Sequence, residues 1–99
     1  MGNWVGRGGI LVPMSQDTRL TVERVQTGVR IEKRLLKVLK GLAEALDLGV
    51  GDLLEGIVLH AFEGKAPFSK PTLQKIAELK KIYGLDLTAG DSHQLRERS

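Results

Sequence analysis

The sequence predicts a mainly α-helical protein with one short strand, ordered β-α-α and followed by an added C-terminal helix, that assembles as a dimer. Three observations carry this expectation. The run Val25 to Ile31 alternates apolar with polar residues, which is the period of a half-buried strand. Directly after it, Leu35, Leu36, Leu39, Leu42, Ala43 and Leu46 recur at helical spacing. A second helical run, Leu53 to Phe62, is apolar at seven of its ten positions, more than a single covered face requires.

Residues 1–19 are rich in glycine and lack apolar periodicity, so they are expected to form a flexible N-terminal arm. The β-α-α unit is placed at residues 20–64. In its strand, Val25, Thr27, Val29 and Ile31 share one face, and Gln26, Gly28 and Arg30 the other. Glu32 is a weak start signal for the first helix, because carboxylates of Glu are not among the preferred caps. Asp47-Leu48-Gly49 stops that helix, with Gly49 able to take a positive φ. The second helix begins near Gly51 or Asp52 and ends at Gly64.

An additional helix is placed at residues 65–87. Ser69 is the expected N-cap, Pro71 fits its first turn and Gly84 closes it. Phe68 and Leu73 are spaced for a hydrophobic staple. Leu73, Ile76, Ala77, Leu79 and Tyr83 give an apolar face. Residues 88–99 are polar apart from Leu95 and are expected to form a flexible tail.

Between the two ends, about 65 residues remain to build a core, a size at which a single chain is marginal. The chain has no cysteine, so disulfides and thiolate zinc sites are excluded. His60 and His93 lie far apart without ligand spacing, and no metal or other cofactor is expected. A lone strand also leaves backbone N–H and C=O groups unpaired. A second copy of the chain, related by a two-fold axis, answers both problems.

The formal net charge is +3 and the pI is about 9.5, which permits a polyanionic partner. The positive charge is gathered on one segment, Arg24, Arg30, Lys33, Arg34, Lys37 and Lys40, against Glu23 and Glu32. From Leu42 to Glu63 the balance is acidic. No stretch is long enough to span a membrane, the apolar Ile10-Leu11-Val12 is too short for a signal peptide, and Gly6 stands where a myristoylation motif needs Ser or Thr. These absences read as a cytoplasmic protein.

Val29 and Ile31, then Glu32-Lys33-Arg34, then Leu35-Leu36, Leu39, Leu42 and Ala43, then Leu48-Gly49-Val50-Gly51-Asp52, and finally Leu53-Leu54 with Ile57 form an ordered pattern. In this pattern the chain resembles the ribbon-helix-helix family of Arc- and MetJ-type DNA-binding proteins. The resemblance covers roughly Val25 to Glu63, and it departs at Gly49 and Gly51, where family turns usually carry Ser or Thr. It implies a homodimer that inserts an intermolecular β-ribbon into the major groove of double-stranded DNA, as a transcriptional regulator or repressor. Gln26, Gly28 and Arg30 then occupy the base-reading positions. Arg can donate two bonds to guanine and Gln can bond adenine in both directions, whereas Gly28 lacks a side chain and serves close approach or marks a bulge. Arg24, Lys33 and Arg34 would contact phosphates, as would the backbone at the start of the second helix, Gly51, Asp52 and Leu53.

The other reading is a dimerisation or protein-interaction module, antitoxin-like or an adaptor, whose third helix (Ser69 to Tyr83) binds a partner protein. Enzymatic activity is not expected. Asp86 and Asp91 lack an accompanying nucleophile, and Gly6, Gly8 and Gly9 lack the strand and Lys-Ser or Lys-Thr of a phosphate loop. His60 is read as a core or edge residue, Phe62 and Tyr83 as core, and Trp4 as an incidental aromatic of the arm.

Overall fold

A computed structural model describes residues 20–98; the expected flexible arm at 1–19 lies outside the described residues. Three helices follow one another, α1 (Lys33–Ala45), α2 (Val50–Phe62) and α3 (Lys70–Tyr83), and a short 3-10 turn spans Ala89–Asp91.

The described residues contain no strand. This overturns the expected strand at Val25 to Ile31 and, with it, the β-α-α ribbon-helix-helix fold. Residues 20–31 run without regular structure ahead of α1. Alternation marks a strand only when a ladder partner and an apolar layer receive it, and the described residues supply neither. Val25 is 80% exposed and Val29 73%; of the four residues assigned to the inner face, Ile31 alone is half-buried.

α1 starts where its apolar period starts. The Glu32 side chain accepts a hydrogen bond from the Leu35 backbone N–H at 2.9 Å, so this residue caps the helix despite its low rank among caps. Its negative charge also suits the positive end of the helix dipole. At α3 the expected punctuation is realised. Ser69 Oγ accepts from the Thr72 N–H at 3.4 Å, Pro71 lies in the first turn, and Gly84 has φ 65°.

All three helices end by one device, a residue in the left-handed region followed by a backbone bond reaching five residues back. Leu48 N–H donates to Ala43 O (2.8 Å), Lys65 N–H to His60 O (2.8 Å) and Leu85 N–H to Lys80 O (2.9 Å). The left-handed residues are Asp47 (φ 61°), Gly64 (φ 70°) and Gly84. Asp47, not Gly49, therefore makes the turn out of α1. Gly49 instead has φ −75° and stands as the N-cap of α2.

The core is small. Leu42, Ala43 and Leu53 are buried, and Leu39, Val50, Ile57, Phe68, Ile76 and Leu79 pack around them. α1 lies between the other two helices and packs on both, whereas no Cα of α2 lies within 8 Å of a Cα of α3. At the α1–α3 crossing Gly41 admits the Leu79 side chain: a Cβ there would sit 3.0 Å from Leu79 Cδ2 and 3.7 Å from the Tyr83 ring.

The apolar excess of α2 is not absorbed by the single chain. Leu53 alone among its residues is buried, and Phe62, expected in the core, is 82% exposed beside exposed Val58 and Leu59. Tyr83 is a surface residue too, with Lys37 Nζ 5.9 Å from its ring centroid. His60 sits at the edge of α2, its Nδ1 2.7 Å from Gly56 O.

Candidate nucleic-acid interface

The residues proposed to meet DNA divide between the segment 20–31 and two helix starts. Gln26 and Arg30 are exposed on the extended segment, as is Gly28. Gly28 has open space where a Cβ would stand and no positive φ, so nothing among the described residues calls for glycine at that position. Lys33 opens α1 and is exposed.

The three arginines are not idle side chains: each is held by carboxylates distant in sequence or adjacent on the surface. Arg24 donates from Nε and Nη2 to the two carboxylate oxygens of Glu55, both at 2.8 Å, and Nη2 also reaches Asp52 Oδ1 at 3.3 Å. Arg30 Nε donates to Glu97 Oε1 at 3.0 Å, and its Nη2 pairs with the other oxygen of the same carboxylate. Arg34 donates from Nε to Glu32 and from Nη1 to both Asp86 Oδ1 and Gly84 O, each at 3.0 Å.

These pairs set the direction of the local titrations. Hydrogen bonding by Arg24, reinforced by its charge, holds the Glu55 carboxyl below the usual carboxylate range. Glu32 is lowered as well, first by the Leu35 backbone N–H and then by Arg34. The guanidinium groups of Arg24, Arg30 and Arg34 are raised in turn by hydrogen bonds to Glu55, Glu97 and Glu32 respectively. All three thus stay charged at any working pH.

At the start of α2 the three expected residues do different things. The Leu53 N–H is spent on Gly49 O at 3.0 Å and its side chain is buried, 4% exposed, so it belongs to the core. Gly51 faces open space and Gly49 provides no side-chain cap. The first-turn N–H groups ahead of Leu53 are therefore the available donors. Asp52, in that same turn, is already engaged by Arg24.

Nothing in the sequence marks Glu55 or Glu97, and Asp86 stands out there only beside Asp91, as a carboxylate pair set aside. They meet their arginines across 31, 52 and 67 residues, separations that no local period marks. Among the described residues there is no group of three or more His, Asp or Glu that could hold a metal ion, and no helix is long and apolar enough to cross a membrane. Comparison with protein-family models, curated proteins and solved structures finds no match to this chain.

Proposed function

We propose that this protein binds double-stranded DNA, as a pair of identical chains, through the arginine-bearing segment from Arg24 to Arg34. The observation that carries the reading is that Arg24 and Arg30 stand exposed, each with both oxygens of one carboxylate seated on Nε and Nη2, while half-buried Arg34 holds one oxygen each from Glu32 and Asp86. Two-point engagement of a planar anion is the geometry in which arginine grips phosphate and the guanine edge. A phosphate or a base can replace the carboxylate without a new arrangement of the side chain.

In this reading Arg30 and Gln26 supply donors to base edges, while Arg24, Lys33 and Arg34 supply charge to the backbone. The exposed apolar side chains Val58, Leu59 and Phe62 of α2 support self-association, since grouped apolar side chains left at a surface mark a contact area. Sequence preference and a role in transcriptional regulation follow if base-edge contacts dominate.

The test is binding to a labelled DNA duplex across a salt series. If Arg24, Lys33 and Arg34 of two chains each neutralise a phosphate, log Kobs falls against log salt with a slope of about −5. Arg34→Ala is expected to flatten that slope, and Arg30→Ala to reduce the preference for a selected site. Absence of duplex binding at low salt overturns the proposal.

A second reading, a protein-interaction module, is favoured by α3, where Leu73 and Ile82 are exposed. Ile82→Asp separates the two: it leaves duplex binding intact if DNA is the ligand and α3 is bystander.

A further inference from the structure

Two of the three arginines assigned to DNA are covered by the same piece of chain. Beyond Gly84, whose left-handed φ of 65° turns the backbone out of α3, the C-terminal segment doubles back across the start of α1. Asp86 is the first point of attachment, accepting from Arg34 Nη1 at 3.0 Å. Leu85 and Leu87 are half-buried and, with Leu95, border the same hollow as Leu35 of α1 and Lys80 of α3.

The segment then turns on a defined joint. Thr88 N–H donates to Asp91 Oδ2 at 2.8 Å, and Thr88 and Asp91 cap each other around the 3-10 turn. Gln94 N–H donates to Asp91 O at 3.0 Å, and the Gln94 amide to Gly90 O at 3.2 Å. These bonds aim the chain after Gln94 at the segment ahead of α1, where both carboxylate oxygens of Glu97 meet the Nε–Nη2 edge of the Arg30 guanidinium.

We infer that the C-terminal segment is a releasable clamp on the DNA-binding surface, with Glu97 occupying Arg30 and Asp86 occupying Arg34 in the place of the nucleic acid. The inference rests on the DNA reading above and adds regulation to it. The clamp is weak by construction. Arg30 and Glu97 are both exposed, 83% and 60% by side chain, and exposed pairs are screened by salt and give little stability. A polyanion presenting many phosphates displaces it readily, but only after competing with it.

Charge alone does not produce this arrangement. The last residues also carry Arg96 and Arg98, which attract phosphate, so deletion of the whole segment would mix two opposite effects. The single carboxylate must be removed instead. A clamp of this strength lowers affinity for a duplex by roughly two- to fivefold for each chain engaged.

The experiment uses the full chain and a fluorescent random-sequence duplex at low salt. Glu97→Gln is expected to tighten binding by about that factor per chain. Glu78→Gln, which changes the charge equally on α3 beside Lys75, is expected to leave it nearly unchanged. In an Arg30→Ala background, Glu97→Gln is expected to add nothing. The Arg30 Nε–H resonance, followed by NMR without DNA, is expected to move on Glu97→Gln and not on Glu78→Gln.

Binding by every variant with Glu97→Gln equal to Glu78→Gln overturns the clamp while leaving the DNA reading in place. Weaker binding by Glu97→Gln overturns it as well, as does an Arg30 resonance indifferent to Glu97. If no variant binds the duplex, the DNA reading falls and the regulatory role falls with it.

Discussion

Glu55 of α2 receives Nε and Nη2 of Arg24, each at 2.8 Å, and so fastens the segment ahead of α1 to a helix 31 residues further on. Its carboxyl is held below the ordinary range by the guanidinium. The tie is therefore complete above the unfolded carboxylate value of about 4.3 and is lost as pH falls through the lower folded value. A pH titration followed at the Arg24 Nε–H resonance is expected to show no change near neutrality and release of the segment only in acid. Glu55→Gln is expected to release it at every pH, with the helices intact by circular dichroism.

Glu32 caps α1 through its carboxylate, and its pKa is lowered mainly by the Leu35 N–H. That contribution to stability is likewise present above the ordinary carboxylate range and fades as pH drops through the depressed value. Glu32→Ala is expected to lower the thermal midpoint at pH 7 and to remove part of its acid sensitivity. Glu32→Ser is expected to restore the midpoint without restoring the pH dependence, because serine caps without a charge.

Two glycines in helices predict opposite outcomes. Gly56 of α2 has nothing within 4 Å of a built Cβ, so Gly56→Ala is expected to stabilise by about 0.5–1 kcal/mol through helix propensity alone. Gly41 lies under Leu79, and Gly41→Val is expected to cost about 1–3 kcal/mol by overpacking the α1–α3 crossing. Urea midpoints measured for both variants decide the matter. Equal shifts would mean that the crossing is not close-packed.

Leu42 is 2% exposed and sits at the centre of the three-helix contact. Leu42→Ala is expected to cost about 2–5 kcal/mol. In so small a core this is a large part of the total stability, and the far-ultraviolet circular dichroism of the variant is expected to show a largely unfolded chain at 37 °C.

Phe62, Val58 and Leu59 stand exposed along the C-terminal half of α2. Phe62→Asp is expected to shift the protein toward monomer in sedimentation equilibrium, with helix content preserved. An unchanged mass would place self-association elsewhere.

The helices were legible in the sequence because their cause is local. Leu35, Leu39, Leu42 and Leu46 mark one face at a fixed period, and Ser69, Pro71 and Gly84 punctuate α3 through bonds no longer than one turn. The strand was misread because the alternation of Val25 to Ile31 is local but a strand is not: it exists only where another segment accepts its backbone. Asp47 taking the turn expected of Gly49 is a choice between neighbours, since short polar side chains also tolerate the left-handed region. The arginines stood out as basic residues on one stretch, but their partners Glu55, Asp86 and Glu97 are set by how α2, α3 and the segment after them return past the start of α1. Only the fold brings them there.

The placement of α1 between two helices whose backbones stay apart means that the molecule is assembled like spokes on an axle. The exposed joint from Glu63 to Pro67 carries connectivity more than cohesion, with Phe68 beyond it returning to the core. Nicking the chain after Lys65 with trypsin is expected to leave two fragments that travel together until denatured. The separate halves, mixed afterwards, would be expected to find each other again.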